Sequence, residues 1–271
     1  MSQLLVTVIV ATKNSQETVG MCLDLIRRNN PVEIIVVDGN STDRTVEIAQ
    51  KYTTRILSDN GLGLSYARQL GAAAASQEYL IYLNPDVILV TDDALATMLR
   101  EFTASSYVAM HARSIDLNVS PSRDYWYWAQ QKHYAYSEAI SGGNHLGLMA
   151  CIIKRKTVLH YGFDLYSGLD GMSEDKGLQL KLKRAGYRFG TSSAGVHHIW
   201  ETDLGKLVRH RRFDGAVNLR FYIREGPWNL QVFPFAEGIF WVLFSMAKRN
   251  PRLIPYFALS TICKLTGMVL G

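Results

Sequence analysis

The chain has 271 residues, of which 48% are hydrophobic and 20% charged, and a net charge of +5. These values fit one globular α/β domain, alone or with an appendage, and exclude a low-complexity chain. The three cysteines (Cys22, Cys151 and Cys263) are too far apart to suggest a disulfide framework or a CxxC metal site. No basic-then-apolar leader precedes the first apolar run, so we expect the domain to lie in the cytoplasm.

Apolar runs alternate with amphipathic segments at the start of the chain. The pattern predicts strands and helices in alternation, at 4–11, 18–29, 33–37, 43–52, 54–57, 63–76 and 79–83. Strands that are apolar throughout and alternate with helices form parallel sheets covered on both faces. Ligands of such sheets bind at the carboxyl ends of the strands, where Asp38 and the Asn-Pro-Asp run at 84–86 fall.

The later part of the chain continues the alternation less regularly. The predicted elements are a helix at 92–104, a strand at 106–114, an aromatic-rich polar segment at 124–144, a strand at 147–155, a short helix, a helix from about Ser173, a strand at 194–200 and a basic helix at 204–224. Residues 227–271 are apolar with broken periodicity. We therefore predict one domain over 1–225 and a C-terminal helical segment over 226–271.

Asp38 ends a strand that is predicted to be buried. Its carboxylate can accept hydrogen bonds from the imide N–H of uracil or from the amino group of guanine, and Thr12 ends the neighbouring strand. The alternative is that Asp38 only opens a turn. For Asp43, just beyond, we favour a cap of the next helix.

The Asn-Pro-Asp run at 84–86 has a fixed local geometry. Pro85 restricts its own φ and holds Asn84 extended, so the side chains at 84 and 86 keep a set relation. Asp86 can ligate a hard divalent cation that also takes diphosphate oxygens. Asn84 offers a neutral oxygen in place of a second anion, which predicts weaker metal binding. Such a run also forms a turn, so both interpretations stay open.

The sequence SEDKGLQLKLKRAGY predicts a helix with an apolar stripe of Leu178, Leu182 and Ala185. Glu174 and Asp175 then lie in the first turn, where the helix dipole keeps a carboxylate ionised. That state suits a general base. Acids also favour first turns for structural reasons, and only the wider pattern favours the catalytic interpretation.

His197 and His198 end the following predicted strand. A histidine in such a position is commonly structural. Because Asp86 already indicates a divalent cation, His198 becomes a candidate metal ligand or diphosphate contact.

These motifs, in this order, resemble those of the inverting family 2 glycosyltransferases, which have the GT-A fold. The resemblance covers about residues 4 to 215 and rests on VTVIVATKN, VVDGNSTDRT, GLSYARQLG, NPD and EDKGLQLKLKRAGY. It implies an α/β fold with a mostly parallel sheet, helices on both faces and a C-terminal helical appendage. The family's roles, carried over, give nucleotide-sugar binding to Thr12, Asn14, Asp38, Arg68 and Asn84, binding of Mg²⁺ or Mn²⁺ to Asp86, and catalysis to Asp175, with Glu174 supporting it or touching the acceptor. His198 stays a candidate metal ligand from its position alone.

The resemblance implies transfer of one sugar from a nucleotide-diphosphate sugar, with UDP favoured and dTDP or GDP as alternatives. The reaction would be a metal-assisted single displacement that inverts the sugar. The Q-x-x-R-W motif of the processive enzymes is absent from the sequence, which favours addition of a single sugar. We expect the acceptor to be a glycan or a lipid-linked glycan, as in polysaccharide biosynthesis.

The C-terminal segment bears on where the enzyme acts. Residues 232–247 contain Glu237 and are fewer than the ~20 that a membrane-spanning helix needs. Aromatic residues beside Lys248, Arg249 and Arg252 predict helices that lie in a bilayer interface, giving a peripheral contact with the inner face of the cell membrane. The alternative is a helical pair packed on the domain or at a homodimer contact.

Features of the sequence also bear on three other functions. Residues 176–271 carry 15 Lys/Arg and 5 Asp/Glu, a net +10, as in nucleic-acid-binding modules, but their aromatic residues lie in long apolar runs, so we expect no nucleic-acid partner. A nucleotidyltransferase would need a pyrophosphate-binding loop that ATKNSQE does not supply. A catalytically inactive nucleotide-sugar-binding protein stays an alternative because Asn84 replaces an acid.

Overall fold

The structure is a computed structural model that describes residues 3–117, 119–142, 144–164, 174–225 and 234–270. Its strands are β1 (Leu4–Thr12), β2 (Pro31–Asp38), β3 (Ile56–Ser58), β4 (Tyr79–Leu83), β5 (Val87–Leu89), β6 (Ala109–Ser114), β7 (Ala150–Lys154) and β8 (Phe189–His198). Its helices are α1 (Val19–Arg28), α2 (Thr45–Ala49), α3 (Leu64–Ala74), α4 (Ala94–Thr103), α5 (Tyr125–Ser141), α6 (Arg155–Tyr161), α7 (Glu174–Arg184), α8 (Leu204–Glu225), α9 (Pro234–Ala247) and α10 (Ile254–Leu270).

The strands form one sheet in the order β3-β2-β1-β4-β7-β6-β8-β5. β1, β2, β3 and β4 are parallel, and β6 is parallel to β8. β7 runs antiparallel to both β4 and β6, and β5 runs antiparallel to β8. The predicted α/β fold is therefore confirmed, as a mixed sheet with two reversed strands.

Helices cover both faces of this sheet. On one face α1, α2 and α4 pack on a buried cluster that includes Val8, Ile81 and Ile152. On the other face α3, α6 and α7 pack on a cluster that includes Leu178 and Leu182. Alternate strand residues point to opposite faces, so each inner strand supplies both cores, and this explains its unbroken apolar sequence.

The structure differs from the sequence-based predictions at β5, in the segment at 124–144 and at Ala185. The strand β5 was not predicted, because a run of three residues is too short to show periodicity. The segment at 124–144 was predicted only as aromatic and polar, whereas most of it forms the helix α5. Ala185 was placed on the apolar stripe of α7, but it follows the last turn of the helix and is exposed.

The chain divides into two compact units, one of residues 1–117 and 137–199 and the other of residues 118–136 and 200–271. This division differs from the predicted boundary at 225. The reason is that α8 packs closely on α10: a Cβ added at Gly215 or at Gly267 would lie far inside van der Waals contact with the backbone of Lys264 or of Arg212. α8 therefore belongs with the C-terminal helices.

The second unit has its own core, in which Trp128, Trp241, Tyr256 and Phe257 are buried together. The rings of Trp241 and Phe257 stack with centroids 5.5 Å apart. In the part of the chain that the structure describes, no helix combines the length and the apolarity needed to cross a membrane.

All three cysteines are buried. Burial raises the pKa of the Cys22 thiol far above its usual range, and the Asp86 carboxylate adds to the effect. Burial also raises the pKa of Cys151, to about 12, and the pKa of Cys263. The three thiols therefore stay protonated at neutral pH.

Candidate active site

Parallel pairing brings the ends of β1 and β2 side by side, with Thr12 opposite Asp38. Asp38 is 7% exposed, and its two oxygens accept hydrogen bonds from the Ser41 backbone N–H (2.9 Å) and the Ser41 hydroxyl (2.6 Å). The Thr12 hydroxyl donates over 3.4 Å to the same carboxylate. Thr12 and Asp38 thus lie together as predicted, and Asp38 also closes the turn that follows it.

Asn14 links the loop after β1 to the loop after β2. Its backbone N–H donates to the Ser41 hydroxyl (2.9 Å), and its side-chain oxygen accepts from the Thr42 N–H (2.8 Å). Asp43 accepts hydrogen bonds from the backbone N–H groups of Gln16 (3.1 Å) and Thr45 (3.0 Å) at the start of α2, which agrees with the predicted capping role. The Asn14 side chain therefore shapes the loops around Asp38.

Asp59, which follows β3, belongs to the same edge of the sheet and was not selected from the sequence. It is 2% exposed, and its carboxylate accepts from the N–H groups of Gly61 (2.7 Å) and Gly63 (3.2 Å). Gly63, at φ 91°, then starts α3. The signal for Asp59 in the sequence was the Asp-Asn-Gly turn just before the predicted helix.

Arg68 and Asn84, predicted separately as donor-binding residues, contact each other. Arg68 extends from α3, is 4% exposed, and donates from Nη2 to the Asn84 side-chain oxygen over 2.9 Å. The Asn84 backbone carbonyl accepts from the Cys22 thiol (3.4 Å) on the other face of the sheet. A neutral amide at position 84 thus gives the Arg68 guanidinium an acceptor without adding a negative charge beside Asp86.

Asp86 and His198 lie side by side because β5 pairs with β8, with Val87 opposite His198. Asp86 Oδ2 is 3.3 Å from His198 Nε2. Asp86 Oδ1 is buried, and no described residue gives it a hydrogen bond. Burying a carboxylate oxygen without a partner is costly, and a cation ligand would remove that cost. The Asp86 carboxylate fits Mn²⁺ or Mg²⁺, and the His198 imidazole beside it favours Mn²⁺ of the two, because Mg²⁺ prefers oxygen ligands.

His197 points away from this pair. It is 2% exposed and its Nδ1 donates to the Ile115 carbonyl over 3.0 Å. Alternation along β8 thus separates a structural histidine from the candidate ligand His198.

Asp175 lies in the first turn of α7, half-buried, and its carboxylate accepts from the Lys176 N–H over 2.7 Å. Leu178 and Leu182 are both fully buried on the same helix, as predicted. The backbone of Glu174 begins α7, while its side chain lies outside what the structure describes. Asp175 also approaches His145: burial lowers the pKa of His145, and the nearby Asp175 carboxylate partly offsets that change.

The topology places the candidate acids at one edge of the sheet. Asp38 is the last residue of β2, and Asn84 follows β4, which runs parallel to β2 in the same sheet. The Asn84 N–H donates to the carbonyl of Met149 (2.9 Å), the residue just before the antiparallel strand β7. The segment before β7 therefore shares that edge, and it includes His145, which neighbours Asp175. This arrangement puts Asp38, the Asp86–His198 pair and Asp175 along one side of the sheet.

A surface depression lies elsewhere in the described structure. Its volume is about 630 Å³, and it is lined by residues at the amino ends of the strands, among them Pro31, Glu33, Thr54, Arg55 and Ser76. The Glu33 carboxylate there accepts hydrogen bonds from the Thr7 hydroxyl, the Ser76 hydroxyl and the Arg55 guanidinium. This depression lies at the edge of the sheet opposite the candidate acids.

Two protein relatives differ in how much of the chain they match. The O-antigen chain rhamnosyltransferase WbaN of Salmonella anatum is 25% identical over 262 residues, covering 90% of this chain and 80% of that protein. The 4,4'-diaponeurosporenoate glycosyltransferase of Staphylococcus haemolyticus is 31% identical over 110 residues, covering 38% of this chain and only 29% of that protein.

Solved structures give the same fold. A mannosyltransferase from Pyrobaculum calidifontis, in complex with GDP-Man and Mn²⁺, matches with a TM-score of 0.67 at 16% identity, covering 98% of this chain and 88% of that one. The glucosyl-3-phosphoglycerate synthase of Mycobacterium tuberculosis, in complex with Mn²⁺ and UDP, matches with a TM-score of 0.57 at 16% identity, covering 83% and 81%. Residues 7–161, more than half of the chain, match the description of the glycosyl transferase family 2. The chain therefore belongs to that family.

Proposed function

We propose that this protein transfers one sugar from a nucleoside-diphosphate sugar to an acceptor hydroxyl, with inversion at the anomeric carbon. The observation that carries the proposal is the Asp86–His198 pair, in which one buried carboxylate oxygen has no hydrogen-bond partner among the described residues and the other lies 3.3 Å from the imidazole. Asp38 would bind the nucleotide base of the donor, and Asp175 on α7 would remove the proton of the acceptor hydroxyl.

Asp38 and Thr12 would receive the base of the donor. The Asp38 carboxylate suits the imide N–H of uracil, which favours UDP over GDP and dTDP. The solved relatives do not decide this point, because one holds GDP-Man and the other UDP. Arg68, already bound to Asn84, supports the wall of this pocket.

Asp86 and His198 would hold Mn²⁺ or Mg²⁺. When bound, the ion neutralises the negative charge that develops on the diphosphate as it leaves. Asp175 accepts the proton of the acceptor hydroxyl, whose oxygen forms a bond to the anomeric carbon from the face opposite the diphosphate. The bond between that carbon and the diphosphate oxygen breaks with its electron pair, so a single displacement inverts the sugar and no covalent enzyme intermediate is needed.

The relative that matches 90% of the chain is an O-antigen chain rhamnosyltransferase, which supports a lipid-linked glycan as acceptor and a role in polysaccharide biosynthesis. A lipid-linked acceptor would be met at the inner face of the cell membrane. Four apolar side chains on α9, each 47–60% exposed, form a stripe suited to that surface: Ile239, Phe240, Leu243 and Met246. Lys248, Arg249 and Arg252 follow at its end, where anionic headgroups would lie.

The donor site is tested by thermal unfolding with UDP, GDP or dTDP, each with and without Mn²⁺. We expect one nucleotide to stabilise the protein by about 2.7 kcal/mol at 100-fold its Kd, and only when Mn²⁺ is present. Asp86→Asn removes the negative charge of the metal ligand and should abolish the part of the stabilisation that depends on Mn²⁺. Asp92→Asn, an exposed acid nearby in the sequence, should leave it unchanged. Equal stabilisation of the parent and Asp86→Asn would disprove the assigned metal position.

The membrane contact is tested by flotation with vesicles of phosphatidylcholine, with or without phosphatidylglycerol. Leu243→Glu removes an apolar side chain worth about 1.5–3 kcal/mol when buried, so vesicle binding should fall about 10–100-fold. Leu159→Glu, on an exposed leucine of α6, is the matched control and should bind as the parent does. Binding that is equally strong after Leu243→Glu would mean that the α9 stripe does not face lipid.

A further inference from the structure

Three side chains of metal-binding type meet on the α3 and α7 face of the sheet, outside every motif in the sequence. His111 lies on β6, Glu138 on α5 and His145 in the segment before β7. One ligand atom from each lies within 4.8 Å of the other two. The set shares no residue with the Asp86–His198 pair.

The geometry of this set is close to that of a bound ion. His111 Nε2 is 3.7 Å from Glu138 Oε1, and the rings of His111 and His145 have centroids 4.3 Å apart at a 42° tilt. Two ligands at 2.0–2.1 Å from a tetrahedral zinc ion lie about 3.3 Å apart. Binding of an ion would bring His111 Nε2 and Glu138 Oε1 closer by a few tenths of an ångström, and it would replace the contact of His111 Nε2 with the Thr191 hydroxyl at 3.1 Å.

The chemistry of the set also favours an ion. His111 is 3% exposed and Glu138 17%. Burial, followed by the neighbouring His145 ring, lowers the pKa of His111 to about 4. The His111 imidazole is thus neutral at pH 7, which is the form that ligates metals. Two imidazoles with one carboxylate prefer a borderline ion such as Zn²⁺, whereas Mg²⁺ prefers oxygen ligands.

We propose that His111, Glu138 and His145 form a zinc site, with a fourth position open to solvent. The ion would join β6, α5 and the segment before β7. That segment reaches α7, because the Leu146 N–H donates to the Gln179 side chain over 2.6 Å. The site would therefore brace the surroundings of the helix that carries Asp175.

The test uses the full chain, stripped with EDTA, incubated with ZnCl₂ and passed over a desalting column before the bound metal is measured by mass spectrometry. We expect about one tightly bound zinc per chain, and with CoCl₂ instead, the visible absorption of four-coordinate Co²⁺. Glu138→Gln and His145→Ala should each weaken zinc binding by about tenfold or more. His160→Gln, an exposed histidine on α6, should bind zinc as the parent does.

Circular dichroism of Glu138→Gln, which keeps the size of the side chain, checks that the variant is folded. Zinc binding that survives both Glu138→Gln and His145→Ala overturns the proposal. None of these measurements depends on sugar transfer, so a failure of the zinc proposal would not contradict the proposed reaction, and a failure of the proposed reaction would not contradict the zinc site.

Discussion

Replacing Asp175 by Asn should lower kcat by about 10²–10⁴-fold, the usual contribution of a general base, while the Kd for the nucleotide diphosphate stays unchanged. The amide has the size of the carboxylate and can still accept the Lys176 N–H, but it cannot take the proton of the acceptor hydroxyl. Steady-state kinetics with saturating donor and calorimetric binding of the nucleotide give the two numbers.

The matched control for this variant is Glu47→Gln, which also removes an acid from a first helical turn, on α2. Glu47 is exposed and pairs only with Arg44 among the residues that the structure describes, so its loss should not change kcat. Asp175→Asn with the parent's kcat, or with a nucleotide Kd weakened as much as kcat, would show that Asp175 is not the base.

Gly215→Ala should destabilise the helical unit by about 2–3 kcal/mol, the cost of overpacking a tight contact. The added methyl group meets the backbone of Lys264 on α10, which cannot rotate away as a side chain can. A loss of this size corresponds to a Tm lower by about 4–12 °C. All five tryptophans fall within residues 118–136 and 200–271, so tryptophan fluorescence during unfolding follows this unit selectively.

Gly205→Ala tests the same substitution on the same helix. The atoms nearest to a Cβ there are the ends of the Asp203 and Arg209 side chains, at 3.1 and 3.5 Å, and both can move. Because alanine is the better helix former, this variant should be stabilised by up to about 1 kcal/mol. Equal Tm values for the two variants would contradict the close packing of α8 on α10.

The part of the fold built from long apolar runs was predictable from the sequence. The segments of β1, β2 and β4 are short, almost unbroken apolar runs, which are typical of parallel strands buried on both faces. The positions of Asp38 and Asn84 follow from where β2 and β4 end. Leu178 and Leu182 defined the buried face of α7 in the same way. Local pattern sufficed in these regions because burial on both faces leaves few other arrangements.

The rest depended on tertiary pairing that no local pattern encodes. Asp86 and His198 were each recognisable as ligand types, but their contact depends on β5, a strand of three residues. The hydrogen bond that the Asn14 side-chain oxygen accepts from the Thr42 N–H in the next loop also has no signal in the sequence.

The aromatic residues of the segment at 124–144 had no predicted secondary structure or packing partner. Several of them pack with the C-terminal helices, as Tyr136 does with Phe244. Mixed aromatic and polar sequence carries no clear helical period, so the packing partner decided the structure.

The burial of all three native thiols has a practical consequence for later work. Reagents such as maleimides attack thiolates, so Cys22, Cys151 and Cys263 should remain unmodified in the folded protein. A single cysteine introduced at an exposed position would then carry a fluorophore or spin label alone, with no need for a cysteine-free background.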